Sequence, residues 1–317
     1  MSFVRTVLGD IEPHEMGLTY SHEHVVIEES FPTLANPDFI LNNTELITHE
    51  LKEFYRLGGK TLVDTMPANC GRNVAKLATV SRNSSVNIIA PTGIHLEKYY
   101  LPNHWRYHLS ADELTSLFIK DITEGIDEYD YGCPVVKRTQ HKAGLIKLAT
   151  GDESITAHQQ KIFEAVVNAH IETGAPILTH TNSGKHAIAQ VELFSKLGAG
   201  LNHVVISHVD KNKDLDYHKA LMQTGVYVEY DSHFRWKEGE ENWTYALLEN
   251  LLPQYSHRIV IGMDMARNTY WKSFGGKPGL TFLLTTFKNE LTTRGLDNYY
   301  EKLFFTNPQN LYSFKTM

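Results

Sequence analysis

The chain reads as a single (β/α)8 barrel of the TIM type, with a short N-terminal strand hairpin before the barrel and a helical tail after it, and residues 1–317 form one domain. Two observations predict this. Eight apolar strand candidates alternate with amphipathic helix patterns along the whole length, and no linker or low-complexity stretch interrupts them. A third observation argues against a doubly wound open sheet, which would carry a glycine-rich phosphate fingerprint after its first strand; none follows here. With 42% hydrophobic and 21% charged residues the composition is that of an ordinary globular protein, so one large core is feasible and disorder is not expected.

Val4 to Leu8 alternates apolar and polar residues before Gly9-Asp10, a short strand and turn. Leu18 to Ser21 is the first buried strand. Thr44 can cap a helix to about Leu57, with Leu46, Ile47, Leu51 and Phe54 on one face and Gly58-Gly59 as its stop. Thr61 to Met66 is a strand, Val74 to Ser81 a helix, and Val86 to Ala90 a strand that ends at the turn signal Pro91-Thr92-Gly93. From His95 to Leu109, histidines, tyrosines, Lys98, Trp105 and Arg106 crowd a connection too long for a plain turn, as a loop covering a substrate would. Ser110 and Glu113 form a capping box for the helix carrying Leu114, Leu117, Phe118 and Ile122. Strand Ala143–Leu148, helix Ile155–Thr173 with Gly174 beyond it, and strand Pro176–His180 follow. The alternation continues through helix Lys185–Leu197, strand Val204–His208, helix Leu215–Gln223, strand Val226–Tyr230, helix Tyr245–Leu252 and strand Ile259–Gly262.

A formal net charge of −7 offers no global basic field, so neither nucleic acid nor an anionic membrane is an expected partner, and any anion site must be local. Cys70 and Cys133 are too few and too far apart for a disulfide framework or a cysteine metal site, and both are expected as free thiols. Met1 to Arg5 lacks the pattern of a secretion signal, and no apolar run is long enough to span a bilayer, so the cytoplasm is the expected compartment.

Chemistry concentrates where apolar runs end. On an extended strand, residues i and i+2 share a face, so His22 and His24 in Tyr20-Ser21-His22-Glu23-His24-Val25 present both imidazoles to one point. Glu23 then faces the barrel wall and is given no catalytic role. His180 ends the fifth strand, His208 the sixth, and Asp264 follows the eighth; strand C-termini of a barrel converge on one mouth, which makes this set a metal site. Lys147 ends the run Leu145-Ile146 and is aimed at these cations. Burial and neighbouring positive charge would depress its pKa, and the neutral amine could react with carbon dioxide to give an anionic carbamate able to bridge two metals; a lysine paired with a core carboxylate is the alternative.

Taken together, Ser21-His22-Glu23-His24, Gly144-Leu145-Ile146-Lys147-Leu148-Ala149-Thr150, Thr179-His180-Thr181, Ser207-His208 and Gly262-Met263-Asp264 resemble the phosphotriesterase family of the amidohydrolase superfamily, over nearly the whole chain and in the expected order. The resemblance implies a binuclear centre of two divalent ions, usually zinc, with His22, His24 and Asp264 on one metal, His180 and His208 on the other, and carboxylated Lys147 joining them. Metal-ion chemistry then implies hydrolysis by a bridging hydroxide, with Asp264 accepting its proton and passing it to the leaving group.

Members of the family cleave phosphotriesters, acyl-homoserine lactones or sugar lactones, and the last two barrel loops discriminate among these. Phe234-Arg235-Trp236-Lys237 and Ala266-Arg267-Asn268-Thr269-Tyr270-Trp271-Lys272 mix cationic and aromatic side chains where barrels often hold a phosphate. Arg267 and Tyr270, then Lys237 and Arg235, are the expected phosphate contacts, and the pattern is similar to the branch that hydrolyses phosphorylated furanose lactones. After the third strand, where relatives tend to carry Tyr or Trp, this chain has His95, which with Tyr99 could contact the lactone carbonyl or simply pack against the long loop. A phosphorylated lactone is thus the favoured substrate. A phosphoesterase using the same centre, and a barrel that binds metal without catalysis, remain alternatives. The sequence leaves the oligomeric state open, a homodimer being one possibility.

Overall fold

The computed structural model describes residues 2–130, 135–237 and 239–314, so Cys133 lies outside the described residues. Strands β1 (Val4–Thr6) and β2 (Gly9–Ile11) form the expected antiparallel hairpin. The barrel strands are β3 (Leu18–Glu23), β4 (Gly59–Asp64), β5 (Asn87–Ile89), β6 (Pro91–Gly93), β7 (Leu145–Ala149), β8 (Ile177–His180), β9 (Val204–Ile206), β10 (Tyr227–Tyr230) and β11 (Ile259–Ile261). All pair in parallel, β3-β4-β5 in one run and β6 through β11 in the other.

The third strand corrects the reading of Pro91-Thr92-Gly93 as a turn, because these residues continue it as β6. Its first half pairs with β4 and its second with β7. A proline suits this junction because its missing N–H removes a donor where the strand exchanges partners. The ring closes at the other seam, where the Met263 and Asp264 amides donate to the His22 carbonyl at 3.1 and 2.9 Å. Gly262 permits that approach, since a Cβ there would sit 2.7 Å from both the backbone N and the Cβ of His22.

Helices cover the outer face, and their apolar stripes pack on outward-facing strand residues in one large core. A second, inner cluster fills the barrel itself with Val63, Ile89, Leu145, Leu178, Val205, Tyr227 and Val260. Val4, Met16, Leu311 and Tyr312 join this cluster, so the hairpin and the tail stopper one end of the barrel and leave the C-terminal mouth for chemistry. Phe3 stacks on Phe314 at 4.7 Å and ties the two termini together.

Several helix ends differ from expectation, two of them because a better cap lies next to the expected one. Asn43, not Thr44, caps Thr44–Arg56 by accepting from the Glu45 and Leu46 amides. Thr156 and Gln159 form a capping box that starts the next helix at Ala157 rather than Ile155. The helix expected from Lys185 begins at Ala187, and those expected to end at Ser81 and Leu252 run on to Ser84 and Tyr255. The helical tail is a series of short turns and helices from Leu280 to Tyr312 that includes two π-helical segments. No helix among the described residues is long and apolar enough to cross a membrane.

Gly262→Ala is expected to destabilise the protein by about 1–3 kcal/mol, because the new methyl meets backbone that cannot move without opening the seam. Denaturant unfolding monitored by circular dichroism would read this; a midpoint equal to that of the parent would show that the seam has slack.

Candidate metal centre and substrate cavity

His22 lies within β3 and His180 ends β8, while His24, His208 and Asp264 stand just beyond their strands. His208 and Asp264 both adopt left-handed backbone, at φ 64° and 49°. That conformation costs a non-glycine residue about 1 kcal/mol or more, so local bonds must hold it. The His208 amide donates to Asp231 Oδ2 at 3.2 Å. Around Asp264, the amides of Met263 and Met265 donate to the Glu23 carboxylate at 2.9 and 3.4 Å. Glu23 does face away from its two histidines, and in doing so it grips the turn that presents Asp264.

The side chains converge. Asp264 Oδ1 lies 3.1 Å from His24 Nε2 and 3.7 Å from His22 Nε2, so these three offer donor atoms to one ion. The His208 ring stands 4.8 Å from that of His22 and 4.5 Å from that of His180, a second pair beside the first group. The opposite nitrogens are tied down: His22 Nδ1 lies 2.7 Å from Glu229, His208 Nδ1 2.7 Å from Asp231, and His180 Nε2 2.9 Å from Asn182 Oδ1. Such partners fix ring orientation and leave the other nitrogen of each ring for a cation.

Electrostatics agree with that assignment. Burial, then the neighbouring Lys147 and His208, holds His22 well below the usual imidazole range; burial and nearby cationic groups do the same to His180 and His95. Neutral imidazole is the form that binds metal. Burial, aided by Asp231, raises the Glu229 carboxyl beside His22 above the usual carboxylate range. Burial raises the Asp264 carboxyl too, but Arg235 at 2.9 Å and His24 outweigh it and hold the group well below the usual carboxylate range.

Lys147 is 1% exposed, and among the described residues it makes no ion pair. Burial lowers its amine to about 8, with Glu229, Asp264 and Asp231 pulling it back up. A lysine paired with a core carboxylate is therefore not what the structure contains. A donor set of imidazoles with a carboxylate, near a buried amine of lowered basicity, fits divalent metal ions.

Above this floor opens a cavity of about 260 Å³ lined by His22, His24, His180, His208 and Asp264 and by much of the expected substrate-binding set. His95, Tyr99, Arg235, Arg267 and Tyr270 all reach it. Arg267 pairs with Asp38 and stacks over Phe39 at 4.6 Å, joining the loop after β11 to the loop after β3. The Tyr270 ring packs edge-on against Phe234 at 5.1 Å. Lys237 is exposed and is not among the lining residues. Of the long loop after β6, only His95 and Tyr99 line the cavity, while Tyr100, His104 and Arg106 are buried away from it.

The chain matches the phosphotriesterase family model over residues 2–312. It belongs to that family. This phosphotriesterase-family chain is 33% identical to a phospho-furanose lactonase of Mycoplasmopsis synoviae, over 98% of its own length and 92% of the relative's. Among solved structures, an amidohydrolase from Mycoplasma synoviae superposes with a TM-score of 0.94 at 31% identity, covering 99% of this chain and 92% of that one. A lactonase from Listeria monocytogenes gives 0.90 at 30% identity, covering 99% and 100%.

Four residues that bear on this phosphotriesterase-family site escaped sequence reading: Glu229, Asp231, Asn182 and Lys211. Glu229 carried a legible signal, an acid inside the apolar strand run Val226-Tyr227-Val228-Glu229-Tyr230. Glu229→Gln is expected to weaken metal retention by about 10–100-fold, because the amide cannot polarise His22 as a carboxylate does. Competition with a chelator measures this, and retention equal to the parent's would reduce Glu229 to a packing role.

Proposed function

We propose that this protein is a metal-dependent hydrolase that opens a phosphorylated furanose lactone. One observation carries the reading: a single cavity has the candidate metal ligands on its floor and cationic and aromatic side chains, Arg235, Arg267 and Tyr270, on its wall. The names of the relatives point the same way. Zinc suits a donor set of imidazole nitrogens and a carboxylate oxygen, held by His22, His24 and Asp264 on one side and His180 and His208 on the other, with carboxylated Lys147 between. When bound, two such ions supply Lewis acidity and activate water near neutral pH. The cytoplasm suits the buried, unpaired thiol of Cys70.

The chain's own residues do the rest. Asp264 is the only carboxylate among the residues lining the cavity. It takes a proton from the attacking water and returns it to the ring oxygen as the acyl C–O bond breaks, giving a free hydroxyl and a carboxylic acid that ionises and releases its proton to solvent. Arg235 holds one oxygen of Asp264 and so aims the other inward. His95 Nδ1 accepts from the Leu96 amide at 2.7 Å, which leaves the proton on Nε2. In this half-buried ring, held well below the usual imidazole range, that N–H is a donor for the lactone carbonyl oxygen, with Tyr99 packed against it at 4.5 Å. Arg267, positioned by Asp38, and Tyr270 receive the phosphate.

Metal-loaded protein should open 5-phosphorylated furanose lactones far faster than their unphosphorylated counterparts or simple phosphate esters, as read by proton release. Equal rates on neutral lactones would refute the phosphate clamp, and faster cleavage of phosphate esters would favour a phosphoesterase. Arg267→Ala should raise KM for the phosphorylated lactone about 10–100-fold, the worth of a charge-assisted hydrogen bond. Carboxylation needs the neutral amine of Lys147, whose pKa is about 8. At fixed dissolved carbon dioxide, reconstitution of stripped protein should therefore slow by roughly 50-fold from pH 8 to pH 6, as the ammonium form takes over. The carbamate carbon signal in ¹³C NMR reports it, and recovery independent of pH would argue against a carbamate.

A further inference from the structure

Glu50 belongs to helix Thr44–Arg56 on the outside of the barrel and is not among the residues lining the cavity, yet it is 4% exposed. Among the described residues it makes no ion pair. Both of its carboxylate oxygens are spent on backbone instead: Oε2 accepts from the Ser273 amide at 2.6 Å and Oε1 from the Leu280 amide at 2.8 Å. A buried carboxylate is costly without compensation, and charge-assisted bonds from two N–H groups supply it here.

Those two amides are the ends of an arch in the loop after β11. The arch runs back along the turn that carries Arg267 and Tyr270. Within it, the Lys277 amide donates to the Thr269 carbonyl at 3.0 Å, Gly279 to Tyr270 at 2.8 Å and Gly276 to Trp271 at 2.8 Å. The approach is tight, since a Cβ on Gly276 would stand 2.1 Å from the Thr269 carbonyl oxygen and one on Gly279 2.9 Å from Glu50 Oε1. No residue from Ser273 to Pro278 is buried, so apolar packing does little to hold the arch. The carboxylate holds it at both ends.

We propose that Glu50 is a positioning residue for substrate selection: it clamps the arch, the arch fixes the turn Asn268–Tyr270, and the turn sets Arg267 and Tyr270 where they meet the substrate's phosphate. This rests on the phosphorylated-lactone reading above. The test measures kcat and KM for a 5-phosphorylated furanose lactone and for the same lactone without phosphate, in metal-loaded full-length protein, together with amide hydrogen exchange over residues 267–280. Glu50→Gln presents one acceptor oxygen where the carboxylate presents two, so exchange there should quicken about 10-fold or more. KM for the phosphorylated lactone should rise about 5–10-fold while its kcat, and kcat/KM for the neutral lactone, stay within about twofold of the parent. If Glu50→Gln folds poorly, Gly276→Ala, which displaces the arch from within the loop, is held to the same KM and kcat pattern. A parent enzyme that prefers phosphorylated lactones, joined with a variant of quickened exchange and unchanged KM, overturns the role of Glu50 alone. So does exchange equal to the parent's, which would mean that no clamp exists, and so does an equal loss on both lactones, which would make Glu50 a support of the fold only. A parent enzyme without any preference overturns the phosphate reading together with this one.

Discussion

An amine shut inside a barrel among four imidazoles is the constraint around which the mouth of this protein is built. Lys147 cannot be an ammonium there without cost, and among the described residues no carboxylate comes close enough to form an ion pair with it. The surroundings resolve this by shedding charge: burial holds His22 and His180 well below the usual imidazole range and raises the Glu229 carboxyl. Such a cluster gains most from ligands that bring positive charge and take up bare nitrogens, so the fold has in effect stored the site's demand for cations in its interior.

The supports of the cluster run through backbone. Glu23 spans from the first barrel strand to the amides on either side of Asp264, and the same seam depends on the absent side chain of Gly262. Barrel closure and the placement of the acid are therefore one structural event. A shift of the eighth strand along the first would move His22 and Asp264 relative to each other and spoil a donor set now within a few ångströms.

Much of this was legible in the sequence. Strand order, the hairpin and the helix periods follow from apolar spacing, and His22, His24, Lys147, His180, His208 and Asp264 stood out because each ends or follows an apolar run. What sequence could not supply was pairing across the barrel. Glu229 and Asp231 face inward on the seventh strand, but only the closed sheet puts them under His22 and His208, more than twenty residues away or at the far end of the chain. Lys237 and Lys211 look alike as letters in polar loops, and the turn after β9 that sends one into the cavity has no distinct pattern. Pro91 read as a stop because its ring usually is one, and it continued the strand only because the strand changes partners there.

Glu229 and Asp231, two residues apart at the end of the seventh strand, back His22 and His208 respectively, and the four side chains bring donor atoms within 4.8 Å of one another. The loop that follows that strand can then diverge, lengthen or trade its charges while the strand goes on holding both histidines in place. Inheritance of chemistry and innovation in substrate are thereby assigned to different stretches of the same dozen residues.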